Sequence, residues 1–242
     1  MVTKKLLSAL SRLQNAYDAL IGGASCYSKE LFAYHKLSFS QEGEDAILHR
    51  IFEKKPIGFY VDVGSHHPQR FSNTYQFYLR GWNGINIDPI PGSKACFDSI
   101  RKRDVNLETG ISDNPGELIY YIFEESALNT FNQEVASSAN STLISKNIVY
   151  VQRLSDVLSQ YLMKNQQIDF LTIDVEGLDL QVLRSNDWTR YRPSYVLTEA
   201  LDMRDIAHVL ESELHQYMHA IGYTLYAKAV NTLFYADIHR HS

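Results

Sequence analysis

The stretch Phe59-Tyr-Val-Asp-Val-Gly64, followed by Ser65-His-His-Pro68 and then by Gly84-Ile-Asn-Ile-Asp88, constrains this chain more than any other. Each half is a short apolar run ending in a glycine or an acid, the pattern of a buried strand that delivers a turn. In an open α/β sheet such strand ends converge on one ligand. A dinucleotide loop would place two more glycines after Gly64, and neither is present.

The rest of the chain alternates in the same way. Ser40 precedes a helix expected to start near Gln41, with Ile47, Leu48 and Ile51 facing inward. Strands are expected at residues 59–64, 84–88, 105–112, 117–123, 170–175, 195–198, 224–228 and 232–237. Helices are expected at 72–79, 93–103, 154–163, from 179, and at 205–221. The fold class that follows is α/β. It is a Rossmann-like, doubly wound, mostly parallel sheet with an antiparallel C-terminal edge hairpin.

A chain of 242 residues suits one such domain, placed at residues 38–242. Within it, residues 124–147 are rich in Ser, Asn and Thr and lack periodicity, which predicts a long loop acting as a substrate-side flap. Residues 1–37 form a separate extension. Leu6, Leu7, Leu10, Leu13, Tyr17, Leu20 and Ile21 fall there at helical spacing. Packing on its own domain is the plainest role for such a helix, with a homodimer contact next and a membrane-surface helix third.

Charge and cysteine usage narrow the partners. A net charge of −5 gives no basic footprint for nucleic acid. No apolar run reaches the length of a membrane span, and the run after Lys4-Lys5 is too short for a signal peptide. Cys26 and Cys96 have no metal-ligand spacing, which favours free thiols and a cytoplasmic location.

The chemistry concentrates at three strand ends. Gly64 permits close backbone approach to a ligand, and Asp62 stands beside it. Asp88 can accept from ribose hydroxyls, although a turn cap before Pro89 is its plainer role. Ser65, His66, His67 and Pro68 crowd the space a pyrophosphate would need. The turn therefore suits a ligand without a diphosphate, such as S-adenosylmethionine, better than NAD.

The third end is Ile173-Asp-Val-Glu-Gly177. Strand periodicity would put Asp174 and Glu176 on one side, where they serve as a general base or as ligands of a hard cation such as magnesium, with Glu199 as neighbour. His66 and His67 point different ways if extended. One of them contacts substrate or acts as base, and loop packing is the competing role.

Together, Phe59–Gly64, Ser72-Asn-Thr74, Gly81–Asp88, Ile111-Ser-Asp113, Ile173–Gly177 and the preceding Ser40-Gln-Glu-Gly-Glu-Asp45 resemble the FkbM-type S-adenosylmethionine-dependent methyltransferases. The resemblance implies a class I methyltransferase sheet and O-methylation of a hydroxyl on a sugar or polyketide-type compound. Carbohydrate modification or polysaccharide biosynthesis is the setting it suggests, with a nucleotide-linked sugar or surface glycan as acceptor. It puts cofactor roles on Asp62, Gly64, Asp88 and Ser112-Asp113, with Ser65 in the same turn and Gln41 and Glu44 toward the methionine end. Two rivals stand beside it. One is an NAD-dependent sugar oxidoreductase or epimerase, which would want a Tyr-x-x-x-Lys pair where Tyr161-Leu-Met-Lys164 is one residue short. The other is a cofactor-binding module without activity.

Overall fold

The computed structural model describes residues 37–239 apart from 202 and 204, and the fold below is that of the unit Ser38–Ser242. The predicted N-terminal helix and its dimer contact lie outside the described residues. Five parallel strands carry the fold: β1 (Phe59–Val63), β2 (Asn83–Ile87), β3 (Val105–Leu107), β7 (Phe170–Ile173) and β8 (Tyr195–Glu199). With the C-terminal strands β9 (Tyr223–Lys228) and β10 (Thr232–Asp237) they form a seven-stranded sheet in the order β3-β2-β1-β7-β8-β10-β9. Only β10 and β9 run antiparallel to their neighbours. The order reverses between β1 and β7, which is where an open sheet of this kind leaves a crevice. This is the expected Rossmann-like architecture.

Alternation along each strand splits the core in two. Val61, Val63, Leu171, Ile173, Val196 and Tyr235 face one layer. Helices α5 (Leu154–Tyr161), α6 (Asp179–Arg184), α7 (Ile206–Glu211) and α8 (Glu213–Ala220) cover it through Leu158, Val182, Val209 and Met218. Tyr60, Phe170, Leu197 and Phe234 face the other layer, under α1 (Glu44–Ile51) and α2 (Tyr75–Leu79), with Leu48, Phe77 and Trp82 between. Both faces being covered explains why these strands are continuous apolar runs. One further helix, α3 (Ser93–Ile100), joins β2 to β3.

Three expectations need correction. The third strand does not run through residue 112: it ends at Leu107, and Gly110–Ile111 is a separate strand, β4. β4 joins β5 (Gly116–Phe123) and β6 (Leu143–Gln152) in a second sheet of three strands, order β4-β6-β5. Residues 124–147 are accordingly not a structureless loop. They hold a 3₁₀ turn (Ser126–Leu128), a helix α4 (Gln133–Ser138) and the start of β6. Finally, the helix expected at 205–221 is two helices broken at Ser212, whose extended backbone (ψ 148°) lets its side chain accept from the His215 amide and cap α8. No helix among the described residues is long and apolar enough to cross a membrane.

Candidate active site

A cleft opens over the carboxyl ends of β1, β2 and β7, the place where open α/β sheets bind their ligands. Its floor is the pair of turns after β1 and β7. Gly64 adopts φ +81°, and its amide donates to the Ile87 carbonyl at 2.9 Å. One wall is Asp88, Pro89 and Ile90, and the far wall is Thr109, Gly110 and Ile111. Tyr120, Ser126, Asn129, Thr130 and Phe131 close the outer side, and Asp174, Glu176 and Leu178 the inner.

Asp88 is buried, and its two oxygens accept from the backbone amides of His66 (2.7 Å) and Ile90 (2.8 Å). Burial pushes its pKa up to about 6 despite those two bonds. Asp88 therefore braces the turn after β1 as well as facing the cleft. A carboxylate oxygen has two lone pairs, so both oxygens keep accepting capacity for a ligand's hydroxyls.

Asp174, Glu176 and Glu199 place carboxylate oxygens within 4.8 Å of one another. Strand alternation does not bring the first two together, because β7 ends at Ile173. A turn does: Glu176 takes φ 52° and Gly177 φ 90°. The turn is held by Thr130, whose hydroxyl donates to the Glu176 carbonyl at 2.9 Å. His66 (φ 51°) and Phe71 (φ 54°) also hold left-handed backbone, and all three of these non-glycine residues line the cleft. Such conformations cost about 1–3 kcal/mol each and persist where surrounding structure imposes them.

The carboxylates titrate upward together. Burial raises Glu176 to about 7, with the Asp174 charge adding to it. Asp174 turns an exposed face to the cleft, yet protein crowds its other sides and pushes its pKa up. Glu199 is raised further, by burial first and then by its three acidic neighbours, so it keeps its proton and shares a hydrogen bond with Asp174. The trio can hold protons, face a cationic group, or ligate a hard cation.

Other predicted residues go elsewhere. Asp62 is buried behind the cleft, where its carboxylate accepts from Thr74 Oγ1 at 2.7 Å. Ser65 is buried as well and, like Asp62, does not line the cleft. Ser112 and Asp113 follow β4, so Thr109–Ile111 form the wall assigned to them. Gln41 does line the cleft, but Glu44 faces a smaller polar cavity beside it, where one oxygen accepts from Thr232 Oγ1 at 3.0 Å and the other from the Glu42 amide at 2.8 Å.

The two histidines separate as expected, their ring centroids 6.4 Å apart. His66 lines the cleft and shares a hydrogen bond between Nε2 and Ser126 Oγ at 2.9 Å, while its Nδ1 is buried without a partner. His67 turns away, and its Nδ1 accepts from the amides of Gln69 and Arg70. Sequence reasoning missed Tyr120 and the Asn129–Phe131 segment, because their place in the cleft depends on the second sheet. Thr109 and Gly110 were detectable as a break in the third strand.

A cleft at the strand-order reversal, an acid closing β2 and a carboxylate cluster closing β7 are features that many α/β enzymes share, so sequence comparison decides among them. No curated protein matches the chain. A family model, the methyltransferase FkbM domain, matches residues 62–225 of the 242. That span runs from β1 into β9 and takes in the cleft's floor and both its acidic ends, so the chain belongs to the FkbM methyltransferases.

Proposed function

We propose that the chain is an S-adenosylmethionine-dependent O-methyltransferase acting on a hydroxyl of a sugar or glycan precursor. One observation carries this reading: a single cleft joins Asp88 to Asp174 and Glu176 across Gly64. The donor set fits the cofactor. Asp88 would hold the ribose hydroxyls, Ile90, Ile111 and Phe131 would supply apolar walls for the adenine, and the carboxylates would offset the charge of the sulfonium. The turn after β1 has no glycine-rich seat for a pyrophosphate, which counts against NAD.

When bound, the cofactor supplies an electrophilic methyl group. The protein's share is to hold the acceptor hydroxyl in line and to take its proton. Glu176 suits that second task, since a base works best with a pKa near the working pH and its own is raised to about 7. Asp174 stands next to it, relieved of competition by the proton on Glu199. His66 is the weaker base, because Ser126 holds one ring nitrogen and the other is buried. His66 instead fixes the 3₁₀ turn over the cleft. Asp174, Glu176 and Glu199 are the residues that would hold a divalent cation, which would supply a second way of lowering the hydroxyl's pKa. The exposed free thiol of Cys96 supports a cytoplasmic setting.

Calorimetry with S-adenosylmethionine and with NAD tests the cofactor, and methyl transfer to sugars and nucleotide-linked sugars tests the acceptor. Binding of NAD alone would overturn the reading. Cofactor binding with no transfer to any hydroxyl acceptor would leave a silent module. A chelator that leaves turnover intact would remove the cation route.

A further inference from the structure

The second sheet has two unlike faces. β5 and β6 pair antiparallel, with Glu117 opposite Tyr150, Ile119 opposite Ile148 and Tyr121 opposite Lys146. Directly opposed residues share a face. The inner face carries Tyr120 and Val151, both buried, and Tyr120 lines the cleft. The outer face carries Ile119, Ile148 and Tyr150, which are 49%, 71% and 63% exposed, and at its far end Tyr121, buried beneath Lys146. Aliphatic side chains this open, side by side on a sheet, mark an interaction surface.

We infer that this outer face is the docking surface for a second copy of the chain. The order of charge along the face argues for that occupant. It runs acid, apolar, base: Glu117 at one end, the Ile119–Ile148 pair in the centre, and exposed Lys146 at the other end. A two-fold axis that reverses strand direction lays the acidic end of one copy over the basic end of the other. The same operation stacks the central isoleucines. Interfaces of this symmetry must be complementary to themselves, whereas a foreign partner would need no such order. An anionic membrane surface is a poorer match, since membrane-binding faces are rich in Lys and Arg and Lys146 is offset here by Glu117. Docking would brace the sheet that forms the cleft's outer wall.

Sedimentation velocity on the full chain, at concentrations up to about 100 µM, tests the inference. A dimer is expected. Ile148→Asp should weaken it by about 100-fold, as for a central apolar contact, and Glu117→Lys or Lys146→Glu by about tenfold each. The double exchange Glu117→Lys/Lys146→Glu should restore most of the affinity. All three positions are on the outer surface, and circular dichroism would verify that each variant is folded. A chain that stays monomeric throughout overturns the inference. So does a dimer that ignores these substitutions, because its interface then lies elsewhere, residues 1–36 included.

Discussion

Gly64 and Asp174 lie so close that a β-carbon at Gly64 would stand 1.7 Å from the Asp174 carbonyl oxygen. The turns after β1 and β7 therefore behave as one piece, and the amide of Asp174 donates to the Val63 carbonyl at 3.0 Å to complete it. The acidic groups of the cleft are positioned by this contact before any ligand arrives.

Gly64→Ala should be among the most damaging single substitutions in the chain. It sets a side chain against backbone and puts alanine at φ +81°. We expect at least about 2 kcal/mol of lost stability, read as a melting temperature lower by roughly 4–8 °C. Cofactor affinity measured by calorimetry should fall with it. A variant of wild-type stability would show that the two turns can separate.

Glu176→Gln should lower kcat by about 10²–10³-fold, the contribution of a positioned base. In the wild type, activity should rise with pH through about 7 as Glu176 loses its proton. The variant should lose that limb while binding the cofactor with similar affinity. An unchanged pH–rate profile would assign the base elsewhere.

Stability should fall as pH rises through neutrality. Burial lifts Asp62 to about 7 and Asp88 to about 6, against about 3.9 for an unfolded Asp. The folded chain then binds these protons more tightly than the unfolded one. That stabilising contribution is complete below about pH 4 and is lost as pH climbs through about 6 and then 7. Asp62→Asn keeps an oxygen to accept from Thr74 but cannot ionise, so its melting temperature should decline less between pH 5 and 8. An equal decline in both proteins would contradict the assignment.

The two histidines should fail in different ways. His67→Ala removes the acceptor for two backbone amides, Gln69 and Arg70, and should cost about 1 kcal/mol of stability, like loss of a helix cap. His66→Ala frees Ser126 and the turn over the cleft. It should raise the cofactor Kd with a smaller effect on kcat than Glu176→Gln. A collapse of kcat in His66→Ala with cofactor Kd unchanged would return the base role to the imidazole.

Elements that bury both faces were plain in the sequence, because mainly apolar runs such as Phe59–Val63 and Phe170–Ile173 carry their own signal. β6 was not. Its polar residues Ser145-Lys-Asn147 stand in one block between apolar pairs and runs, with no strand alternation, and it is a strand because β5 lies alongside it. The break at Ser212 interrupts a run expected as one helix, and its only sequence sign is a capping residue inside that run. Asp62 stands behind the cleft for a reason visible in β1 itself. With a period of two it shares a face with Tyr60 and lies under Thr74, so the strand end that lines the cleft is Gly64. Asp88, Asp174 and Glu176, which line the cleft, stood out in the sequence because acids that close buried strands are few.

Leu107 closes a strand of the large sheet and Gly110 opens a strand of the small one, with only Glu108 and Thr109 between. The cleft thus straddles a seam between two sheets, and neither sheet alone sets its width. Any molecule gripping both Asp88 and the Tyr120 wall becomes a rivet across that seam. Occupancy would then register as slowed amide exchange throughout β5 and β6, many residues from the nearest reacting atom.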